Sequence, residues 1–192
     1  VDQVGMPADL NKIKKIAKKY KLHIIEDAAC ALGSVYNGSR IGGISELTCL
    51  SFHPRKCITT GEGGMILTNN KKYEKTLRML RHHGMNMSDV ARHNAKKIIH
   101  ETYPLIGYNF RMSDIQAAIG IEQLKKLPEI LRKRNEIANF YSKKLLKSEN
   151  IVLPFVPQDS KTNWQSYVIR LKKWAKISRD EFMQKLLDLG IA

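Results

Sequence analysis

Apolar and polar residues follow two different periods along the first part of the chain. From residue 10 to residue 20 the apolar positions recur at helical spacing while lysines fill the opposite face, which predicts an amphipathic helix. Residues 22–26 form a nearly continuous apolar run, typical of a strand buried on both faces. Residues 1–5 have the pattern of the end of another strand. Because a strand, a helix and a strand follow closely, we expect a right-handed crossover and a parallel sheet.

A second pair of predicted strands surrounds a polar loop. Residues 47–52 and 65–67 are apolar, and Gly61-Glu62-Gly63-Gly64 lies between them as a tight turn. One lysine, Lys56, stands in the loop directly after the first of these strands. In open α/β sheets, ligands bind beyond the carboxyl ends of strands. This position makes Lys56 a candidate ligand-binding residue, and a solvated surface lysine is the alternative interpretation of this stretch alone.

Helical spacing returns in the second half of the chain. It covers residues 71–83, and a long helix is expected to begin at Ser113-Asp114. Pro128 lacks the backbone N–H that a helix interior needs, so we expect it to interrupt this helix, which then resumes up to residue 146.

The end of the chain has the pattern of another structural unit. A proline-containing stretch is followed by a predicted strand at 168–171 and a helix at 179–189. The expected domains are therefore part of a large α/β domain at 1–127, a connecting helix at 128–150, and the beginning of a small C-terminal domain at 151–192.

The composition narrows the classes of function. The 192 residues carry 33 Lys and Arg against 18 Asp and Glu, a net charge of +15 that would suit nucleic acid, an acidic membrane or an anionic substrate. The basic residues are spread over predicted helices without a nucleic-acid-binding motif, so we expect solvated helix faces and no nucleic-acid partner. No apolar run approaches the roughly 20 residues that span a bilayer, so no membrane partner is expected. Three cysteines without metal-ligand spacing favour a reducing, cytoplasmic setting and no metal site.

Two side chains at predicted strand ends carry the candidate chemistry. Lys56 offers an amine that can form an imine with an aldehyde, and Asp27 offers a carboxylate at the end of the strand at 22–26. A pyridoxal 5′-phosphate enzyme needs both, because the carboxylate keeps the pyridine nitrogen protonated and the ring electron-withdrawing. It also needs a small apolar group against the ring and a donor for the phosphate, which Ala29 and Ser51 offer. The sequence therefore predicts pyridoxal 5′-phosphate as the cofactor.

Four ordered motifs resemble the DegT/DnrJ/StrS family of sugar aminotransferases. They are Glu26-Asp27-Ala28-Ala29-Cys30, Ser51-Phe52-His53-Pro54-Arg55-Lys56, Gly61-Glu62-Gly63-Gly64, and Gly107-Tyr108-Asn109-Phe110-Arg111-Met112-Ser113-Asp114-Ile115-Gln116-Ala117-Ala118. Asn163-Trp164-Gln165-Ser166-Tyr167 is similar to the segment that enters the family's small domain. The resemblance implies the fold-type-I, aspartate-aminotransferase-like architecture. This is a three-layer α/β/α large domain that binds pyridoxal phosphate on a mostly parallel sheet, followed by a small α+β domain.

The resemblance also implies a role for each matching residue. Lys56 matches the lysine that binds the cofactor's aldehyde and moves a proton, Asp27 matches the partner of the pyridine nitrogen, and Ser51 matches a phosphate ligand. Asn109 matches the residue that reaches the phosphate from the neighbouring subunit, which implies a homodimer with shared sites. Cys30 stands where many members carry Gln or His near the cofactor's phenolic oxygen. We expect Cys30 to tune the ring and to pack, not to act as a catalytic thiol.

The implied reaction is the transfer of an amino group, usually from glutamate, to a keto sugar carried on a nucleotide diphosphate. Such reactions serve the biosynthesis of surface polysaccharides, glycans or antibiotic sugars. Relatives with histidine in place of the lysine are dehydratases, so Lys56 points to amino transfer. A pyridoxal-phosphate-dependent sugar dehydratase and a non-catalytic regulatory protein on the same scaffold stay open as alternatives.

The extent of the resemblance adds one expectation. The family's pattern continues before residue 1 and after residue 192, so these residues resemble an internal fragment. We expect the fragment by itself to bind the cofactor poorly or not at all, and to be inactive.

Overall fold

The computed structural model describes residues 1–87, 94 and 100–191. Within these residues a 3-10 turn, Gln3–Gly5, precedes the regular elements. The helices are α1 Leu10–Tyr20, α2 Lys71–Leu80, α3 Asp114–Leu145 and α4 Arg179–Asp188. The strands are β1 Ile25–Asp27, β2 Val35–Tyr36, β3 Ser39–Arg40, β4 Leu47–Ser51, β5 Gly64–Leu67, β6 Ile151–Val152, β7 Ser160–Lys161 and β8 Arg170–Leu171. None of the described helices is both long enough and apolar enough to cross a membrane.

The main sheet has β4 in the middle, between β1 and β5. β1 and β4 run parallel, with Asp27 opposite Cys49, which confirms the predicted parallel pairing. β5 runs antiparallel to β4, with Gly64 opposite Ser51, and the loop at 52–63 that joins them contains no crossover helix of the kind that usually connects parallel strands. β1 and β4 therefore end at the same edge of the sheet, and their following loops emerge side by side.

The predicted strand at residues 1–5 is wrong. Gln3–Gly5 is a 3-10 turn with Val4 at φ +55°, although the Asp2 amide still donates to the carbonyl oxygen of Asp27 at 2.8 Å. Gly5 has φ +93°, and a Cβ added there would collide with the Asn163 side chain. The chain turns here because Gly5 must pass closely beneath a side chain that lies far away in the sequence.

The prediction that β1 is buried on both faces is also wrong. Of its three residues only Glu26 is buried, whereas Ile25 is 68% exposed. Glu26 faces inward because its Oε2 accepts a hydrogen bond from Thr48 Oγ1 at 2.9 Å. No element among the described residues covers the opposite face of β1.

Helix α3 runs through Pro128 without a break, against the predicted interruption. A proline inside a helix costs about 3 kcal/mol. Leu127 is buried in the core, and Ile130 and Leu131 pack against that core on the other side of the proline. Burying an aliphatic side chain contributes roughly 1.5–3 kcal/mol, so the three contacts together exceed the cost of Pro128. The division of the chain at residues 128 and 150 stays a prediction.

Two small sheets complete the described fold. β2 and β3 form a hairpin whose turn residues, Asn37 and Gly38, have φ of 47° and 76°, as the Asn-Gly signal predicts. β7 pairs with β2, so the chain after α3 returns to the loop that follows β1. β6 pairs with β8 as a separate ribbon. The return of β7 brings residues 160–165 to the end of the main sheet.

The hydrophobic core lies directly behind the loops that leave β1 and β4. It is built by side chains from both loops together with α1, α3 and β2. Its buried members are Leu10, Ala28, Ala31, Tyr36, Ile41, Leu50, Phe52, Cys57, Ile58 and Leu127. The two loops are thereby held as rigid parts of the fold, not as free surface segments.

Two buried carboxyl groups face each other behind the edge of the sheet. Asp2 is 1% exposed and Glu26 is 3% exposed. Asp2 Oδ1 accepts from the Ala8 amide at 2.9 Å, while Asp2 Oδ2 and Glu26 Oε1 are buried and are left without another donor. Burial, reinforced by the neighbouring Glu26 carboxyl, raises the pKa of Asp2 from 3.8 to about 7. The pair is therefore stable when it shares a proton.

This pair predicts a pH-dependent stability. Because the folded-state pKa of Asp2 is raised to about 7, its protonated form stabilises the fold fully below the unfolded pKa, near 4. That contribution is lost as pH rises through 7, with a slope of up to about 1.4 kcal/mol per pH unit. We expect Asp2→Asn to remove this slope from the free energy of unfolding between pH 4.5 and 7.5, measured by urea denaturation of the full-length protein.

Asp9→Asn is the matched control for this experiment. The hydrogen bond and charge of Lys12 lower the pKa of Asp9 to about 2, so its carboxyl stays ionised throughout that range. The control should keep the wild-type slope. A wild-type slope that persists in Asp2→Asn would show that Asp2 binds no proton in this range.

Candidate active site

A narrow cleft, whose walls leave no room for a water molecule, lies at the edge where β1 and β4 end, as their parallel pairing requires. Four of the predicted site residues line it: Ala29, Cys30, Ser51 and Lys56. Four more residues complete the lining: Leu32, Cys57, Asn163 and Gln165. The tertiary structure therefore brings the amine, the hydroxyl, the small apolar group and the thiol to one place.

The loop that carries Lys56 is anchored on both sides. Phe52 is buried, its amide donates to the Gly63 carbonyl, and its own carbonyl oxygen accepts from the Thr60 amide at 3.1 Å. Cys57 and Ile58 turn into the core directly after Lys56. Lys56 itself is half-buried, and its amide donates to the His53 carbonyl at 2.9 Å. The apolar residues fix the loop and leave the lysine amine at the cleft.

The Lys56 amine contacts a thiol across the cleft. Lys56 Nζ donates to Cys30 Sγ at 3.1 Å. Cys30 is half-buried and follows the buried Ala28 in the loop after β1. This contact joins the two loops and fixes the position of the amine. The predicted tuning and packing role of Cys30 stays a prediction.

Asp27 ends β1, two residues before the first residue that lines the cleft. Its Oδ1 accepts from the Ala29 amide at 3.1 Å, and its carboxylate is exposed. Among the described residues no other group donates to this carboxylate. One oxygen thus orients the carboxylate and the other stays available to a ligand's N–H. The structure places Asp27 at the same sheet edge as Lys56, but not on the wall of the cleft itself.

Ser51 is the last residue of β4 and points its hydroxyl at the cleft. Its Oγ accepts from the His53 amide at 3.3 Å, which leaves the hydroxyl proton free to be donated.

The glycine turn lies beside Ser51. At Gly63, with φ +155°, an added Cβ would lie 2.5 Å from Thr60 Oγ1 and 3.1 Å from Met112 Cε, so a side chain would push these neighbours away. This close approach explains why glycine is needed at this point of the turn.

Asn163 and Gln165 are site residues whose roles the sequence did not indicate. Asn163 is 2% exposed, and its Nδ2 donates to the carbonyl oxygens of Cys30 at 2.8 Å and Leu32 at 3.0 Å. Gln165 Nε2 donates to the Arg55 carbonyl. The signal was the motif Asn163-Trp164-Gln165-Ser166-Tyr167, which indicated a chain segment but not its contact with the cleft.

Cys57 is the second thiol at the cleft, and its burial favours the protonated form. Cys57 is 7% exposed, and burial raises the pKa of its thiol above the ordinary value. The neutral thiol is a hydrogen-bond donor, and Cys57 Sγ lies 3.5 Å from Gln165 Oε1. Among the described residues no group of three or more His, Cys, Asp or Glu side chains could hold a metal ion.

Asn109 lies apart from this cleft. It sits in the loop before α3, opposite His82 in a short β-bridge, and its Oδ1 accepts from Arg111 Nε at 3.2 Å. The same loop exposes apolar side chains: Ile106 is 91% exposed and Phe110 is 73% exposed. Tyr108 and Phe110 stack with ring centroids 4.9 Å apart. Within this subunit the structure does not bring Asn109 to Lys56.

A basic cavity adjoins the Asn109 loop. Its volume is about 280 Å³, and four cationic side chains line it: Lys75, Arg78, Arg81 and Arg111. Of these, Arg78 forms an ion pair with Glu74. None of the described residues that line the cavity is acidic. The cavity therefore has the charge that an anionic ligand requires.

The whole chain, residues 1–192, matches the DegT/DnrJ/EryC1/StrS aminotransferase family. It is 37% identical over 192 residues to a UDP-4-amino-4,6-dideoxy-N-acetyl-beta-L-altrosamine transaminase of Campylobacter jejuni, covering 100% of this chain and 49% of that protein. It is 35% identical over 188 residues to the GDP-perosamine synthase of Caulobacter vibrioides, covering 97% of this chain and 48% of that protein. The chain thus spans about half the length of the curated relatives it matches.

The fold is also shared with a solved structure. Helicobacter pylori PseC, an aminotransferase involved in the biosynthesis of pseudoaminic acid, superposes with a TM-score of 0.88 at 29% identity, over 98% of this chain and 49% of that chain. The predicted fold-type-I α/β architecture is therefore confirmed. Pyridoxal 5′-phosphate is the cofactor of this family. With the four motifs, the cleft and these matches together, the chain belongs to the DegT/DnrJ/EryC1/StrS aminotransferase family.

Proposed function

We propose that the protein is a pyridoxal 5′-phosphate-dependent aminotransferase that moves an amino group from glutamate to a nucleotide-linked keto sugar. The observation that carries the proposal is the cleft itself. It places the Lys56 amine, the Ser51 hydroxyl and the Ala29 methyl group together, at the sheet edge where Asp27 ends the neighbouring strand. The side chains present fit the cofactor's chemistry, since Lys56 offers an amine for its aldehyde, Asp27 a carboxylate for its ring nitrogen and Ser51 a hydroxyl for its phosphate.

Each of these side chains has a distinct task. The Lys56 amine would hold the aldehyde carbon and, once released from it, would carry a proton to or from the reacting carbon. The oxygen of Asp27 that accepts no hydrogen bond from the described residues would hold a proton on the ring nitrogen, and the Ser51 hydroxyl would donate to the phosphate. Ala29, on the wall of the cleft, would pack against the ring face. When bound, pyridoxal phosphate supplies the electron sink that makes proton removal from the amino-bearing carbon feasible.

The site is completed by a second copy of the chain in our proposal. Asn109 lies away from Lys56 in its own subunit, on a loop with exposed apolar side chains. A loop of this kind is favourable at a subunit interface because association covers its apolar surface. A homodimer would cover the exposed apolar side chains of this loop. It would also bring the Asn109 side chain, which does not reach the cleft of its own subunit, to the cleft of the neighbouring subunit.

The basic cavity supports the substrate class. Arg111, which contacts Asn109, also lines the cavity with Lys75, Arg78 and Arg81. If Asn109 reaches the cleft of the neighbouring subunit, these four cationic side chains lie next to that cleft as well. A diphosphate carries the negative charge that arginine and lysine recognise through charge-assisted hydrogen bonds. We also propose a cytoplasmic location, since the three cysteines are free thiols.

An isotope experiment with the full-length protein tests this function. The protein is incubated with pyridoxal phosphate, ¹⁵N-glutamate and a UDP-linked 4-keto sugar, and the sugar product is analysed by mass spectrometry. We expect ¹⁵N in the product and one 2-oxoglutarate released for each amino group transferred. Product that has lost water and contains no ¹⁵N would instead identify a dehydratase. A folded, dimeric protein that turns over neither substrate would favour the regulatory alternative.

A further inference from the structure

Gln165 contacts the residues on both sides of Lys56. Its Nε2 donates to the carbonyl oxygen of Arg55 at 2.5 Å, and its Oε1 accepts from the thiol of Cys57 at 3.5 Å. Cys57 is 7% exposed, so this second contact is sheltered from water. A single side-chain amide therefore holds the backbone before the lysine and the side chain after it.

Asn163 makes the corresponding contacts with the opposite loop. Its Nδ2 donates to the Cys30 and Leu32 carbonyl oxygens, and its Oδ1 accepts from the backbone N–H of Gln165 at 2.9 Å. Asn163 thus links the loop with Cys30 to the backbone of Gln165, and the Gln165 side chain makes the hydrogen bonds to the loop with Lys56. The Lys56–Cys30 contact at 3.1 Å spans the same gap from the other side.

The backbone between these two amides is strained. Trp164 has φ +52°, a left-handed conformation that is unfavourable for a non-glycine residue. Surrounding contacts maintain it, because the Arg134 guanidinium donates to the Trp164 carbonyl at 2.9 Å and to the Gln165 carbonyl at 3.3 Å. Such strain persists where the surroundings over-determine a conformation, and it clusters at functional sites.

We propose that Gln165 is a positioning residue that sets where the Lys56 amine stands in the cleft. By fixing Arg55 and Cys57, Gln165 keeps the lysine within reach of Cys30 and aligned with a carbonyl carbon that enters between the loops. This inference rests on the proposed function, in which Lys56 binds the cofactor. Gln165 touches neither substrate in this assignment, and it acts through the loop.

The consequence is kinetic, because reaction rates depend steeply on alignment. A misplacement of about 1 Å can lower a rate by about a hundredfold. Losing the Gln165 hydrogen bonds releases the loop without removing the amine. We therefore expect slower attachment of the cofactor, a lower kcat per attached cofactor, and unchanged KM values for glutamate and the sugar nucleotide.

Gln165→Met in the full-length protein tests the inference, since methionine keeps the side-chain volume and removes both hydrogen bonds. The absorbance band of lysine-bound pyridoxal phosphate should appear about tenfold more slowly, and kcat per attached cofactor should fall by about the same factor. Both KM values should stay within about twofold of wild type. Gln184→Met is the matched control, because Gln184 is exposed on helix α4 and, among the described residues, its side chain hydrogen-bonds to Asp188 and to no residue of the lysine loop.

A second measurement does not depend on the cofactor. An amine-reactive ester is added to the cofactor-free protein, and labelling of Lys56 is compared with that of the exposed Lys161 by peptide mass spectrometry. In Gln165→Met the Lys56 amine is held less firmly against Cys30, so we expect its relative labelling to rise about threefold. Gln165→Glu loses the donor to Arg55 but keeps the acceptor for Cys57, and it should show the same direction of change if Gln165→Met fails to fold.

The outcomes separate the two proposals. Unchanged attachment and unchanged Lys56 labelling in both Gln165 variants would overturn the positioning role while leaving the aminotransferase assignment intact. A wild-type protein that forms no Lys56-dependent cofactor band would refute the proposed function. In that case the labelling experiment would still decide whether Gln165 holds the lysine loop.

Discussion

Replacing Lys56 with alanine is expected to lower the rate of amino transfer by a factor on the order of 10⁴ or more. In the proposed function the lysine would contribute in two ways, since its amine would hold the cofactor aldehyde and would then move a proton at the reacting carbon. Proton transfer by a positioned side chain alone contributes about 10²–10⁴. The half-buried Lys56 lies on a loop fixed by Phe52, Cys57 and Ile58, so no neighbouring lysine can replace it without rebuilding that loop.

The measurement is ¹⁵N transfer from glutamate by the full-length protein, together with the absorbance of the lysine-bound cofactor. Lys56→Ala should lose that band and should regain part of its activity when a small primary amine is added. Lys161→Ala, which alters the exposed residue of strand β7, is the control and should behave as wild type. A Lys56→Ala protein with activity within tenfold of wild type would remove the basis of the assignment.

Replacing Asp27 with asparagine is expected to lower the rate about a thousandfold while the fold stays intact. Two opposite charges 4 Å apart attract by about 4 kcal/mol at an effective dielectric of 20, and each 1.4 kcal/mol corresponds to a factor of ten. Asparagine keeps an oxygen that can accept from the Ala29 amide, as Asp27 does at 3.1 Å. It loses the negative charge that, in the proposed function, would hold a proton on the ring nitrogen.

Two measurements check the second prediction. Amino transfer is measured as before, and the free energy of unfolding is measured by urea denaturation. The exposed position of Asp27 predicts a change in stability within about 0.5 kcal/mol. Asp188→Asn on α4 serves as the control, since Asp188 also accepts one hydrogen bond near the end of a regular element. A loss smaller than tenfold in Asp27→Asn would show that the carboxylate does not face the cofactor nitrogen.

Several features of this protein followed from the sequence alone, because they depend on local pattern. The period of apolar residues placed α1, β4, β5 and α2, and the Asn37-Gly38 pair placed the hairpin turn. Strand ends could also be assigned, and parallel pairing then requires that the residues after β1 and β4 emerge together. Ala29, Ser51 and Lys56 could thus be assigned to one site from the sequence pattern, and the family resemblance added Cys30.

Other features depended on contacts between residues that are far apart in the sequence. Pro128 has an unfavourable local preference, but burial of Leu127 and packing of Ile130 and Leu131 keep α3 continuous. Residues 1–5 have a strand-like pattern, but the approach of Gly5 to Asn163 imposes a turn. In each case the free energy of tertiary packing exceeds the local preference of the residues for one secondary structure, since such preferences amount to only a small free energy per residue.

What the sequence by itself determined was the identity and spacing of the reactive groups: an amine, a carboxylate and a hydroxyl at strand ends. Only the tertiary structure decided how the amine is held, since Gln165 and Asn163 lie more than a hundred residues after Lys56 and Cys30. No local pattern marks such residues, because their contacts arise when β7 pairs with β2 and returns the chain to the cleft. The physical reason is that hydrogen bonds depend on distance in space, whereas sequence patterns report only distance along the chain.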